Sequence, residues 1–238
     1  GHSRLQMMRG NIDAAVKQFE HVIKLYPTDS RSLTYLGDLY FKKGDQQAAE
    51  NVTRRAIESQ PDNVNSYRTL SAILFAQGRT VDAIAITQKG LQVRSDPMLY
   101  NNLGSFYFSL GQYAQSAQAF ERAIDAQGNS HNYFLWANLG DAYSMLPNKM
   151  EDTRLAYRRA IQLLTARMKP NEERPTLLSR AGLYYAKAGE PAKALEMTKR
   201  ALSLAPNSRY VLFRASVVQE QAGNRAEALN LLVKAMAA

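Results

Sequence analysis

The stretch that decides the fold is residues 97–112, PMLYNNLGSFYFSLGQ, which has a near copy at residues 30–45, SRSLTYLGDLYFKKGD. In the first copy Leu103-Gly104 is followed by Tyr107 and then by Gly111, and the second copy keeps the same intervals up to Gly44. Apolar residues at these intervals lie on one face of an α-helix, and a glycine favours the left-handed conformation that ends a helix. Each copy therefore predicts an amphipathic helix that ends at its glycine.

The closing glycine recurs along the whole chain. It occupies positions Gly10, Gly44, Gly78, Gly111, Gly189 and Gly223. Neighbouring glycines are 33 or 34 residues apart except between Gly111 and Gly189, where Pro147-Asn148 takes the place of the missing one. A fixed period of this length indicates a repeat array in which each repeat is one pair of helices.

A second pattern follows each glycine and has the form small, large, small, as in Ser116, Phe120 and Ala123. Together the two patterns resemble the tetratricopeptide repeat, and the resemblance covers essentially the whole chain. It implies an all-α fold, a right-handed superhelical solenoid of antiparallel helix pairs with no β-sheet, in which stacked neighbours supply the core. Small residues should be buried where helices cross, and the positions in question are Gly37, Gly104, Gly140 and Ala201.

The array is predicted to run over residues 4–238, after residues 1–3, which have the sequence of a cloning scar. A half repeat at 4–29 precedes repeats at 30–63, 64–96, 97–132, 133–174, 175–208 and 209–238. The predicted helices are 11–25, 30–43, 46–59, 64–77, 80–93, 97–110, 113–127, 131–146, 150–168, 174–188, 191–204, 208–222 and 225–237. The helix stub before Gly10 and the lack of a polar capping helix after Ala238 favour a segment of a longer protein.

The composition excludes several classes of protein. Of the 238 residues, 45% are hydrophobic and 21% are charged, which is too apolar for a disordered chain. There is no cysteine, so disulfides, thiolate metal sites and cysteine nucleophiles are excluded. Since no catalytic, phosphate-binding or metal-binding motif is found, the segment is predicted to be non-enzymatic and to hold neither cofactor nor metal. The compartment stays open between cytoplasm and periplasm.

The resemblance implies that the first helix of each pair lines a concave groove. The groove residues expected to bind a ligand are Arg68, Phe75, Asn101, Asn102, Phe108, Phe134, Asn138 and Asp141. Aromatic rings would anchor a bound segment, and the amides of Asn102 and Asn138 would bond its backbone. The alternatives are that the rings serve packing and that the amides serve local capping.

The densest group of cations on a second helix consists of Arg154, Arg158 and Arg159. The resemblance places this basic patch on the outer face. A solvated helix face explains it, and contact with phosphates or acidic lipid headgroups is the alternative.

The leading hypothesis for function is a protein-interaction scaffold that binds a peptide or helix in its groove. The alternative is a sensory or regulatory domain, because runs such as 138–143 and 223–229 resemble the C-terminal repeats of bacterial membrane-linked signalling proteins with kinase, cyclase or winged-helix domains. Nucleic-acid binding is a third class, against which the nearly neutral groove argues despite the net charge of +9. Self-association through uncapped ends stays open.

Overall fold

The computed structural model describes residues 11–126, 128, 131–168 and 174–238, and in these ranges the chain forms thirteen α-helices and no strand. The helices are α1 (Ile12–Leu25), α2 (Ser30–Lys43), α3 (Gln46–Ser59), α4 (Val64–Ala76), α5 (Thr80–Val93), α6 (Pro97–Ser109), α7 (Tyr113–Ala126), α8 (Tyr133–Ser144), α9 (Met150–Thr165), α10 (Pro175–Lys187), α11 (Pro191–Leu204), α12 (Arg209–Gln221) and α13 (Arg225–Ala237). The predicted all-α repeat fold is confirmed. The cloning scar and the stub before Gly10 lie outside the described residues.

Helix boundaries differ from the prediction mainly at α8 and α9. Helix α8 begins at Tyr133 rather than at 131, because the side-chain oxygen of Asn132 accepts a hydrogen bond from the backbone N–H of Phe134 at 3.1 Å and caps the helix. Helix α9 ends at Thr165 rather than at 168, because the next backbone bonds, such as that from Met168 to the Thr165 carbonyl, span three residues and tighten the chain into a turn.

The turn between paired helices has the predicted left-handed geometry. Gly44 has φ 89°, its N–H donates to the Phe41 carbonyl, and the next N–H, of Asp45, donates to the Tyr40 carbonyl. Gly78, Gly111, Gly189 and Gly223 share this positive φ. In the fourth turn Asn148 has φ 59° and so replaces the missing glycine.

The helices form two compact units, residues 1–128 with α1–α7 and residues 129–238 with α8–α13. In unit 1 the first helices α2, α4 and α6 lie in sequence beside one another, and each packs against its own second helix, α3, α5 or α7. In unit 2 the pairs are α8–α9, α10–α11 and α12–α13, with α10 beside α12. No helix in the described part of the chain is long and apolar enough to cross a membrane.

Small residues allow the paired helices to approach closely, as predicted. Gly37, Gly104, Gly140 and Ala201 are all buried. At the α6–α7 crossing the Ser116 hydroxyl donates to the Gly104 carbonyl at 2.8 Å, and the Phe120 ring fills the space beside the glycine. In unit 2 the corresponding ring is that of Tyr157, which faces Gly140.

Glu50 joins the second helices of two repeats in unit 1. This buried carboxylate on α3 accepts hydrogen bonds from Arg54 one turn along and from Arg79 at the start of α5, at 2.7 and 3.0 Å. Burial by itself raises the pKa of Glu50. Hydrogen bonds from Arg54, Gln77 and Arg79 lower the pKa by more than burial raises it, so the net shift is downward. The ionised carboxylate therefore stabilises the fold.

We expect Glu50→Gln to lower the free energy of unfolding by about 1.5–3 kcal/mol at neutral pH, since hydrogen bonds to a charged group are lost. A group with a lowered pKa stabilises above its unfolded-state value, about 4.3 for glutamate, and this contribution is lost as the pH falls. Urea unfolding at a series of pH values should show the difference between wild type and variant shrinking as the pH falls below the unfolded-state value.

Asp82→Asn is the matched control, because Asp82 pairs with the same Arg79 at 2.7 Å but is exposed. Its effect should stay below about 1 kcal/mol. A constant difference between wild type and Glu50→Gln across the pH range would show that the carboxylate's charge is not what stabilises the contact.

Candidate functional site

A pocket of about 770 Å³ lies in unit 1, on the face where the first helices α2 and α4 run side by side. We call it the α2–α4 pocket. It is lined by Arg31, Thr34, Tyr35, Asp38, Phe41, Gln60, Asp62, Asn63, Val64, Asn65, Arg68, Thr69, Ala72, Arg94 and Asn102. The lining comes from α2, α4, one residue of α6 and the two loops that precede α4 and α6.

A polar network holds α2 and α4 together beneath this pocket. The hydroxyls of Thr34 and Ser66 lie 2.7 Å apart, and the Thr34 hydroxyl also lies 2.7 Å from the Ser30 carbonyl. The Asn63 amide donates to the Ser30 hydroxyl at 2.9 Å. Because buried hydroxyls need these partners, the network sets how the two helices lie against each other and gives the pocket a shaped polar wall.

The charges of the pocket are of both signs. Asp38 is paired with Lys42 at 2.6 Å, one turn along α2. Arg31, Arg68 and Arg94 make no ion pair with any residue that the structure describes. The pocket therefore presents cationic side chains that are available to a carboxylate of a ligand.

The pocket brings together two of the predicted groove residues of unit 1, Arg68 and Asn102. The other three lie outside its lining. Phe75 stacks on Phe106 with ring centroids 4.7 Å apart, and Phe108 meets the edge of Tyr113 at 5.2 Å. Asn101 is half-buried on α6.

Sequence reasoning missed the loop residues of the pocket. Asn63 and Asp62 precede α4, and Arg94 precedes α6 by a similar interval. The signal available was their recurring place just before each first helix. Groove positions assigned on the helices alone do not include such residues.

In unit 2, the three predicted residues lie on α8. Asp141 accepts a hydrogen bond from the hydroxyl of Tyr157 at 2.5 Å and is also paired with Lys187 of α10. Burial, reinforced by the nearby Asp141 carboxylate, raises the pKa of Tyr157 well above its ordinary value, so its hydroxyl stays a donor. The charge of Asp141 thus serves a contact between helices. Asn138 is half-buried, and Phe134 is 43% exposed.

The predicted basic patch has partners within unit 2. Arg158 pairs with Glu190 at 3.3 Å, Arg154 with Glu151 at 3.7 Å, and Arg159 donates to the side chain of Gln162 at 2.6 Å. These local contacts offset part of the positive charge of the patch. In the described part of the chain no group of three or more histidines or carboxylates could hold a metal ion.

Two segments of the chain match family models of the tetratricopeptide repeat, residues 6–74 and residues 99–130. Among curated relatives, the tetratricopeptide repeat-containing protein trd-1 of Caenorhabditis elegans is 25% identical over 202 residues, which cover 82% of this chain and 23% of that protein. The chain spans less than a quarter of the length of the first curated relatives that it matches.

Solved structures show the same fold. PilW, a widely conserved type IV pilus biogenesis factor, has a TM-score of 0.71 at 16% identity, with 88% of this chain and 93% of PilW covered. YrrB, a tetratricopeptide-repeat protein with an unusual peptide-binding site, has a TM-score of 0.53 at 16% identity, with 82% and 95% covered. At these identities the likeness concerns the fold alone. Residues 6–74 and 99–130 thus match the tetratricopeptide repeat, and the helix pairs and turn glycines of the described residues have the fold of that repeat.

Proposed function

We propose that this chain is a protein-interaction module and that it binds a peptide or helix of a protein partner in the α2–α4 pocket. Tetratricopeptide-repeat proteins in general mediate contacts between proteins, and their fold is in general non-catalytic. The observation that carries the proposal is the pocket itself, about 770 Å³ in volume and lined by the first helices of consecutive repeats. Ligand pockets in proteins fall in this range of volume.

The polar side chains of the pocket suit a peptide main chain. Asn65 and Asn102 line the pocket with side-chain amides that bond no residue the structure describes. An amide side chain offers both a donor and an acceptor, which is what the carbonyl and N–H groups of a peptide require. Arg68, half-buried on the same helix as Asn65, can add a bidentate contact to an acidic side chain.

The likeness to YrrB supports this proposal at the level of the fold, because that protein is described as having a peptide-binding site. The experiment below therefore begins by selecting a peptide ligand. The regulatory role in a bacterial signalling protein, which the sequence resemblance implies, stays a prediction.

The test begins with a peptide selected on the wild-type chain from a random peptide display library and then labelled with fluorescein. We expect the double variant Arg68→Ala, Asn102→Ala to weaken its binding at least about tenfold, because a guanidinium and an amide of the pocket lining are lost. Fluorescence anisotropy measures the affinity. Circular dichroism checks that helicity is unchanged.

Lys89→Ala, an exposed cation on α5 outside the pocket lining, is the matched control and should leave the affinity unchanged. Phe108→Ala tests the site centred on the groove rings, which the sequence predicted and which lies outside the pocket lining. If Phe108→Ala abolished binding while the double variant bound normally, the ligand site would lie along α6 instead.

A further inference from the structure

Two arginines on adjacent first helices of unit 2 have no carboxylate partner among the residues that the structure describes. Arg180 lies on α10 and Arg214 on α12, and these helices pack side by side. Neither guanidinium forms an ion pair with a residue that the structure describes. The carboxylate of Asp141 on α8 is paired with Lys187 of α10. The two cations thus form an unneutralised pair, which we call the Arg180–Arg214 pair.

Neutral contacts hold Arg180 in place. Its guanidinium lies over the ring of Phe134, with the central carbon 4.4 Å from the ring centroid, and donates to the Tyr133 hydroxyl at 3.0 Å. Stacking and one hydrogen bond fix the plane of the side chain, while its other N–H groups are left for a further acceptor. Arg180 is therefore oriented in advance, which lowers the entropy cost of binding an anion.

Arg214 is half-buried and bonds the neighbouring first helix. One of its N–H groups donates to the hydroxyl of Ser179, a buried residue of α10, at 3.2 Å. Burial lowers the pKa of Arg214, and repulsion from Arg180 lowers it further. A half-buried cation beside a like charge costs free energy that an anionic partner would recover.

The surroundings of the pair are aromatic and exposed. Tyr210 and Phe213 flank Arg214 along α12 and are 69% and 54% exposed, and Phe134 under Arg180 is 43% exposed. Exposed rings beside a cation pair suit a ligand that carries apolar and acidic side chains together. Burial of the rings contributes most of the binding free energy, and the carboxylate determines the orientation of the bound ligand. Binding to a nucleic-acid backbone needs a longer row of cations than this pair offers.

We propose that the Arg180–Arg214 pair is a carboxylate-binding site that receives an acidic side chain of a protein partner, with the neighbouring apolar side chains of that partner lying on Phe134, Tyr210 and Phe213. The carboxylate lies between the two guanidiniums and accepts hydrogen bonds from both. The site is separate from the α2–α4 pocket, since all its residues belong to unit 2. It does not depend on the function proposed for that pocket.

The test uses a fluorescein-labelled peptide that alternates glutamate with leucine, and the same peptide with glutamine in place of every glutamate. We expect the full chain to bind the glutamate peptide at least about tenfold more tightly than the glutamine peptide in anisotropy titrations at constant salt. The double variant Arg180→Gln, Arg214→Gln should lose this preference.

Arg159→Gln is the matched control, because it removes one arginine of the same unit whose side chain already bonds Gln162. It should keep the preference for the glutamate peptide. As a readout that needs no variant to fold well, the Nε–Hε signals of Arg180 and Arg214 in ¹⁵N NMR spectra should shift when the glutamate peptide is added and stay fixed with the glutamine peptide.

Two results would overturn the proposal. One is a double variant that keeps its helicity and still prefers the glutamate peptide as strongly as wild type does. The other is a short oligouridylate that binds more tightly than the glutamate peptide and shifts the same arginine signals. The site would then bind nucleic-acid phosphates.

Discussion

Replacing Gly104 by leucine should lower the free energy of unfolding by about 3 kcal/mol or more, the upper part of the range for overpacked cores. A Cβ at this position would lie 2.7 to 2.9 Å from three carbons of the Phe120 ring. That ring is itself buried, so it has no open space into which it can rotate. Helices α6 and α7 would have to separate, and contacts on both sides of the crossing would be lost.

Urea unfolding followed by circular dichroism measures this effect, and Gly111→Ala in the turn between the same two helices is the comparison. Gly111 has φ 71° and open space where a Cβ would be, so alanine there suffers only backbone strain of about 1–2 kcal/mol. Gly104→Ala should cost more than Gly111→Ala if contact with Phe120 dominates. An unchanged unfolding midpoint in Gly104→Leu would mean that α6 and α7 do not cross at this glycine.

Replacing Tyr157 by alanine should cost about 3–5 kcal/mol, as is usual when a buried aromatic ring is removed. Only 1% of Tyr157 is exposed, and its ring packs against Gly140 and near Tyr184, with ring centroids 6.0 Å apart in the latter case. It lies in the main core cluster of unit 2, together with Leu164 of the same helix. Its removal leaves a cavity that the surrounding helices can close only in part.

Tyr157→Phe separates the contribution of the ring from that of the hydroxyl. Phenylalanine keeps the ring but loses the donor to Asp141, which retains Lys187 as a partner. We expect a cost of about 0.5–1.5 kcal/mol, the usual net value of one hydrogen bond. If Tyr157→Phe were as destabilising as Tyr157→Ala in the same unfolding experiment, the network around Asp141 would be what stabilises unit 2, and the ring would matter little.

The two candidate binding sites rely on different chemistry. The α2–α4 pocket offers amides and arginines on a polar wall, as a peptide backbone requires. The Arg180–Arg214 pair offers two oriented cations among exposed rings. Variants at one site leave the residues of the other unchanged. Binding experiments can therefore assign a ligand to either unit without ambiguity.

The amino-acid sequence by itself determined the repeat, the thirteen helices of the described residues and the ends of these helices to within three residues. It also identified Gly37 and Gly104 as buried crossing points. These features follow from local patterns, because apolar spacing sets the helix face and a glycine with positive φ ends the helix. Such signals lie within one repeat and need no knowledge of the neighbouring repeats.

Only the tertiary structure decided which polar side chains meet. Asp141, which the sequence predicts to line the groove, is paired with Lys187, which lies 46 residues away along the chain. Arg180, absent from the predicted site, reaches Tyr133 across 47 residues, and Arg94 enters the α2–α4 pocket from a loop. The physical reason is that a repeat pattern specifies which face of a helix a residue occupies. Contacts between repeats depend on the direction and length of each side chain and on the distance between helices, which the period does not specify.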